Sequence, residues 1–354
     1  MCTMKAIIID RATGELSVKD VEKPEIKQPS EVLVKVKYSG ICGSDLGSLN
    51  KKTGNETKCI LGHEVSGIVE EIGAAVHDLK VGDPVCVSSV MGCGSCGRCS
   101  RGRENLCDNE GISTLLGYLV DGGMTAFIVS KRARLFLLPS EMPLDIAALS
   151  EPFATAYHPL EMVAKNLDPE VSKALVIGCG PTGMAMAFLL HYKGFKSITV
   201  VQRSKPRRDA LLSFDLGIDV LHPDSLISEF ETKNGRNDGF DFIFDTSGTA
   251  EAINAYFPLA RKGGDYCIFG LIDPKVCLDK VNASDLMMNE INILGSNCFT
   301  PTDLTKTIDI LNKMHQLLDL SKIGINLYPI ERYEEGFTDM QDKKVTKVMF
   351  EFNV

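Results

Sequence analysis

The stretch KALVIGCGPTGMAMAFLLHYKG, residues 173–194, decides the fold. Ala174–Ile177 is a short apolar run of the kind that forms a buried strand. The chain then passes through Gly178, Gly180 and Gly183, in the spacing G-x-G-x-x-G, into an apolar helical run that stops at His191. Each glycine has its own task. Gly178 permits a tight turn, Gly180 lets backbone approach a pyrophosphate, and Gly183 lets the helix pack on the strand, while the helix N-terminus attracts phosphate charge. A plain strand-to-helix turn is the competing reading. The strand before the turn and the apolar helix after it are the context that favours a dinucleotide.

The neighbouring sequence repeats the strand-and-helix rhythm. SITVVQR (197–203), FDFIFDTSG (240–248) and GDYCIFGL (264–271) read as buried strands, and AEAINAYFPLARKGG (250–264) as a helix with a glycine stop. Strands alternating with helices predict a parallel, doubly wound α/β sheet. Before about residue 150 the character differs. EVLVKVKYSG (31–40), EVSGIVEEIG (64–73) and DPVCVSSV (83–90) are short β runs broken by glycine and proline, predicting an irregular, mostly β domain. EPFATAYHPLEMVAK (151–165) has helical spacing, a further helix is expected near 302–317, and KKVTKVMFEFNV (343–354) reads as a closing strand. The expected division is 1–155, with a lobe at 93–107, then 156–297, then a returning segment 298–354.

With 354 residues, 44% hydrophobic and 24% charged, the chain has the composition of a soluble globular enzyme. Its net charge of −9 argues against a nucleic-acid partner, as does the absence of an aromatic-basic surface motif. A zinc module that binds nucleic acid is the alternative from a different class. No run approaches the roughly 20 apolar residues that span a bilayer, and the apolar N-terminal run is too short for a signal-peptide core. The expectation is a cytoplasmic protein, where clustered thiols point to metal rather than disulfides.

GCGSCGRCSRGRENLC (92–107) holds Cys93, Cys96, Cys99 and Cys107 in the spacing C-x2-C-x2-C-x7-C. Four thiolates close a tetrahedral shell around Zn²⁺ and leave no position for substrate. An iron–sulfur cluster is the other metal reading. A second set lies outside the lobe: Cys42, Ser44 and Asp45 in SGICGSDLGSL (39–49), His63 and Glu64 in ILGHEVSGIVEEIG (60–73), and Glu151 in LSEPFATAYH (149–158). A catalytic zinc needs protein ligands and one open position.

The cofactor class follows from charge. A site for NAD usually carries an acid at the end of the second strand, against the ribose hydroxyl. Here that strand is followed by Gln202, Arg203 and Ser204, and Arg203, Lys205, Arg207 and Arg208 place four cations within six residues. Arginine grips a 2′-phosphate that an acid would repel, so NADP(H) is expected over NAD(H). A solvated basic helix start beside an NAD site is the alternative.

Taken in order, GICGSD, LGHEVSGIVEEIG, VGDPV, the four-cysteine lobe, EPFATAYH, VIGCGPTG and KVMFEF resemble the zinc-dependent medium-chain alcohol and polyol dehydrogenases, across essentially the whole chain. The resemblance is to the sorbitol, threonine, butanediol and galactitol-phosphate dehydrogenase branch. It implies a GroES-like catalytic domain and a Rossmann domain with the active site in the cleft between them, and a homodimer or homotetramer assembled through the edge of the Rossmann sheet, around 294–300. It implies two zinc ions, a structural one in the lobe and a catalytic one on Cys42, His63 and Glu64 or Glu151. Ser44 is the implied proton relay and Asp45 the acid behind the zinc ligands. Thr155 is the implied nicotinamide contact and Lys347 the pyrophosphate contact. Gly178, Gly180, Pro181, Thr182, Gly183, Arg203, Ser204, Arg208, Thr246 and Leu271 make up the rest of the expected cofactor site.

The implied reaction moves a hydride between the nicotinamide and a secondary alcohol or ketone, such as a polyol, a sugar alcohol or its phosphate, or a diol. An NAD-dependent sorbitol, threonine or butanediol type is the alternative. One departure stands out. Many members carry His where this chain has Gly47, which leaves Ser44 to pass its proton through water or a cofactor ribose and leaves room for a larger substrate. Lys51 and Lys52 in LNKKTGNE (49–56) stand where they meet a phosphorylated polyol, or are solvated loop lysines.

Overall fold

A computed structural model of the chain describes residues 2–49, 58–110, 114–231, 235–270, 278 and 281–353. The chain divides into two compact units, Met1–Ala154 with Cys298–Val354, and Thr155–Asn297. It passes from the first to the second within the helix Ser150–Val163.

The first unit opens with β1 (Thr3–Asp10), β2 (Glu15–Glu22), β3 (Glu31–Gly40), β4 (Lys58–Ile60), β5 (Glu64–Ile72), β6 (Pro84–Val87), β7 (Phe127–Lys131) and β8 (Leu135–Leu137). β1 lies between β2 and β4 in a small antiparallel sheet. β3 is the longest strand and pairs antiparallel with both β5 and β7. Its branched residues Val32, Val34 and Val36 are buried and join Ile7, Val65 and Val69 in one core. That core fixes the start of β5, and with it His63 and Glu64.

The second unit contains β9 (Lys173–Ile177), β10 (Ser197–Val201), β11 (Asp219–Leu221), β12 (Phe240–Asp245), β13 (Ala260–Ile268) and β14 (Asn292–Gly295). They lie in the order β11-β10-β9-β12-β13-β14, every pairing parallel. This is the doubly wound arrangement expected from the sequence. Strand order reverses between β9 and β12, where open α/β sheets bind ligands beyond the carboxyl ends of the strands. β9 is buried along Ala174–Ile177, and the helix after it, Pro181–Tyr192, is buried continuously from Gly183 to Leu190. A helix apolar all round is a core helix.

The chain returns to the first unit through the helix Pro301–Met314, which starts with a capping box between Thr300 and Asp303 and has proline in its first turn. Such a cap is worth about 1 kcal/mol. β15 (Ile325–Pro329) and β16 (Lys347–Glu351) follow. β16 pairs parallel with β15 and antiparallel with β3, so the closing strand is an interior strand of the larger sheet. Among the described residues, no helix is long and apolar enough to cross a membrane.

Candidate active site

Cys42 precedes the helix Gly43–Leu49, His63 precedes β5, and Glu64 begins it. The register of β3 against β5 sets Glu64 opposite Gly40, two residues before Cys42. Residues more than twenty apart in sequence thus meet, and donor atoms of Cys42, His63 and Glu64 all lie within 4.8 Å of one another.

Asp45 organises this set. It is buried, and its Oδ2 accepts the backbone N–H of Cys42 at 2.8 Å while Oδ1 lies 3.6 Å from His63 Nδ1. A carboxylate against one ring nitrogen leaves the other to face a metal. Burial opposes a charged imidazole, but Asp45, Cys42 and Glu151 outweigh it and raise the proton affinity of His63 well above the usual histidine value. A field that holds a proton so firmly also favours a cation. The soft sulfur, ring nitrogen and carboxylate fit Zn²⁺.

Glu151, in the first turn of Ser150–Val163, is outside that three-residue group. Its Oε1 accepts the Ser89 hydroxyl at 3.0 Å. Desolvation raises its carboxyl to about 7, against the attraction of His63 and with the repulsion of Glu64. Ser89 is a contact that sequence reasoning did not single out, since a serine at the end of a β run carries no distinguishing signal. Ser44 is half-buried on the helix Gly43–Leu49, where its carbonyl accepts the Ser48 hydroxyl at 2.9 Å.

Lys347 is 1% exposed, paired with Glu64, and donates to the Ile41 carbonyl at 3.0 Å. Its enclosure is topological: β16 is flanked by β15 and β3, so a residue that reads as a strand-end lysine is buried. Burial disfavours its charge, but Glu64, then Cys42, more than restore it and raise its pKa.

In the lobe, Cys93, Cys96, Cys99 and Cys107 bring their sulfurs within 4.8 Å of one another. Cys96 and Cys107 are 3.9 Å apart, and thiolates about 2.3 Å from a tetrahedral ion stand about 3.8 Å apart. The N–H groups of Cys93 and Glu110 donate to Cys107 Sγ, and that of Cys96 to Cys93 Sγ, each at 3.3 Å. The Ser95 hydroxyl and nearby N–H groups pull Cys93 down to about 5, while desolvation pushes Cys99 up to about 12. This donor set also fits zinc.

In the second unit Gly178 has φ +95°, and a Cβ on Gly183 would run into the Gly178 carbonyl. Gly180 caps the helix in extended conformation, with Pro181 and Thr182 as its first residues. Thr246 closes the other side, donating from its hydroxyl to the Ile177 carbonyl at 2.7 Å. Thr155 is half-buried on Ser150–Val163. Beyond β10, Arg203 is exposed and Ser204 is the N-cap of Lys205–Leu212. Arg208 donates from Nη1 to the carbonyls of Gln202 and Arg203 at 2.6 and 2.7 Å, just beyond the end of β10. Arg207 is half-buried beside Cys179, with a guanidinium nitrogen 3.9 Å from where a Gly180 Cβ would stand. The sequence counted Arg207 among four cations without distinguishing it, because only the helix direction separates neighbours. Leu271, Lys51 and Lys52 lie outside the described residues.

A parallel doubly wound sheet with a glycine turn, and a β unit carrying a Cys–His–Glu set and a four-thiol lobe, define a zinc-dependent dehydrogenase. Residues 28–140 match the alcohol dehydrogenase GroES-like domain, and 181–313 match the zinc-binding dehydrogenase domain. D-arabitol-phosphate dehydrogenase of Enterococcus avium is 31% identical over 359 residues, spanning 99% of this chain and 98% of the relative. Sorbitol dehydrogenase of Bacillus subtilis is 33% identical over 340 residues, spanning 94% and 92%. A Sinorhizobium meliloti zinc-binding dehydrogenase solved bound to NADP has the same fold, with TM-score 0.88 at 24% identity over 99% of this chain and 100% of that one. The chain belongs to the zinc-dependent medium-chain alcohol and polyol dehydrogenase family.

Proposed function

We propose that this enzyme transfers a hydride between NADP(H) and a secondary alcohol or ketone of the polyol class, including sugar alcohol phosphates. The observation that carries the reading is the gathering of Cys42, His63 and Glu64 around one point, backed by buried Asp45. When bound, zinc supplies Lewis acidity to the substrate oxygen and the nicotinamide accepts or donates the hydride.

The protein's own residues do the rest. Asp45 holds Cys42 through its N–H and orients His63. Lys347 pairs with Glu64 in a buried place and supplies the opposite charge there. Ser44 takes the substrate hydroxyl proton. A Cβ at Gly47 would have no neighbour within 4 Å among the described residues, so the position held by histidine in many relatives is open to a larger substrate. The named activity of the Enterococcus avium relative supports a phosphorylated polyol. Gly178, Gly180 and the start of Pro181–Tyr192 hold the pyrophosphate. Arg203 and Arg207 take the 2′-phosphate, since Gln202, Arg203 and Ser204 stand where an NAD site places its acid.

The test is a panel of polyols, their phosphates and diols, each assayed with NADP⁺ and NAD⁺. The expected result is turnover of a polyol or polyol phosphate with higher kcat/KM for NADP⁺. A clear preference for NAD⁺ overturns the cofactor assignment, and turnover confined to simple non-polyol alcohols overturns the substrate class.

A further inference from the structure

The four-cysteine lobe and the Cys42 site are joined at the lobe's neck by one side chain. Chain enters the lobe from β6 through Ser88–Gly92 and leaves it after Cys107 through Glu110 and Thr114. Arg134 lies between the two. It is 4% exposed. Its Nη1 donates to the carbonyls of Ser88 and Ser89 at 3.2 and 2.9 Å, and its Nη2 donates to the carbonyl of Thr114. Its own carbonyl accepts the Ser88 N–H at 2.8 Å. One guanidinium therefore clasps the entering and the leaving chain together.

Each clasped stretch of chain touches a residue beside the candidate metal site. On the entering side, the Ser89 hydroxyl donates to Glu151 at 3.0 Å. On the leaving side, Leu116 N–H donates to the Ser89 carbonyl at 3.3 Å, and Gly117 follows with φ +68°. A Cβ on Gly117 would stand 2.7 Å from the Gly62 nitrogen, so this backbone packs directly on the residue before His63. We propose that Arg134 is a positioning residue for the Cys42–His63–Glu64 site: by clasping the lobe's neck it sets Ser89 against Glu151 and Gly117 against Gly62.

The inference rests on the metal reading of the Cys42 site. The acceptors of Arg134 are backbone carbonyls, with Glu110 attracting it from further away, and desolvation lowers its pKa to about 10, so it remains a cation near neutral pH. A planar fork can serve carbonyls on two chains at once; a lysine keeps the charge but concentrates its donors at one point. Arg134→Lys therefore removes the clasp with the least change of charge and size.

The experiment uses full-length protein with zinc in the lobe and Co²⁺ exchanged into the Cys42 site, read by its visible absorption and by extraction with 1,10-phenanthroline. The Cys42-dependent signal is defined as the part lost in Cys42→Ser. Arg134→Lys is expected to shift that absorption and to speed extraction about tenfold, the scale seen when groups that support metal ligands are changed, while lobe zinc is retained. A purely structural role would lower Tm without altering the cobalt spectrum of the folded protein. Ser89→Ala, which leaves the clasp whole, is expected to shift the same absorption to a smaller extent and serves if Arg134→Lys does not fold. If Cys42→Ser removes the signal but both other variants keep the wild-type spectrum and extraction rate, the role of Arg134 is overturned. If Cys42→Ser leaves the cobalt spectrum unchanged, the metal reading of the site is overturned and the inference goes with it.

Discussion

In the four-cysteine lobe every sulfur comes from one stretch, 93–107, and the sulfurs are steadied by N–H groups of that stretch and the residues just after it. Around Cys42 the donors come from a helix start and from the head of a strand, and their orientation depends on Asp45 and Lys347. The lobe is a local fold that four identical ligands saturate. The Cys42 set is a product of the sheet, with three unlike donors beside buried Asp45 and Lys347. A saturated thiolate shell has no position for substrate, whereas three protein ligands leave one. Under the proposed function, the region with more cysteines is the structural one.

Substituting one ligand in each region probes this division most directly. Cys42→Ser is expected to lower kcat/KM about a thousandfold or more, since a metal Lewis acid contributes several kcal/mol and each 1.36 kcal/mol is tenfold. NADPH binding, followed by its fluorescence, is expected to persist. Cys96→Ser is expected to act on folding: loss of a structural metal belongs with changes above about 4 kcal/mol, lowering Tm by about 10 °C. Activity then tracks the fraction of folded protein, measured by thermal unfolding and assay of the same samples. Reversed outcomes, with Cys96→Ser inert while folded and Cys42→Ser merely unstable, would exchange the roles of the two regions.

The same difference explains what was legible in the sequence. The lobe was readable from spacing, because its ligands are neighbours in the chain. The glycine turn was readable because Gly178 and Gly183 answer a local need for a positive φ and a close helix approach. The Cys42 set was legible only as scattered Cys, His and carboxylate candidates, and its ligand roles came from the resemblance: no periodicity connects residues 42, 63 and 64 until β3 and β5 pair. The burial of Lys347 was not legible for the same reason, since enclosure by β15 and β3 is a property of the sheet and not of TKVMFEF. Arg207 and Arg208 are adjacent and chemically identical, and only the helix direction sends one to backbone carbonyls and the other towards Gly180. Arg134 gave no signal, because its partners are carbonyls brought near by the neck of the lobe.

A milder change sharpens the contrast in how the ligands are held. Asp45→Asn keeps the size of the side chain but removes the charge that faces His63, and it weakens the acceptor for the Cys42 N–H. Loss of metal affinity by about 10- to 100-fold at the Cys42 site is expected, with the lobe metal unaffected. Metal content after dialysis against graded chelator measures both sites. An unchanged affinity would mean that the three ligands need no ionised support, making the Cys42 site as self-sufficient as the lobe.

The smallest effect is expected from the matching change in the lobe. Ser95 donates to Cys93 Sγ at 3.6 Å from an exposed position. Cys93 Sγ also accepts the Cys96 N–H and the Asn109 side chain, each at 3.3 Å. Ser95→Ala leaves these two donors in place, and a single hydrogen bond contributes about 1 kcal/mol net. Release of the lobe metal to 4-(2-pyridylazo)resorcinol is therefore expected to quicken by no more than about fivefold, with turnover per folded molecule unchanged. The redundancy of donors is what makes the lobe tolerant, while the Cys42 set relies on one aspartate for two ligands. If Ser95→Ala released the lobe metal as readily as Asp45→Asn releases the other, local N–H donors would not be what holds the thiolates, and the distinction between a chain-local and a sheet-assembled metal site would fail at the lobe.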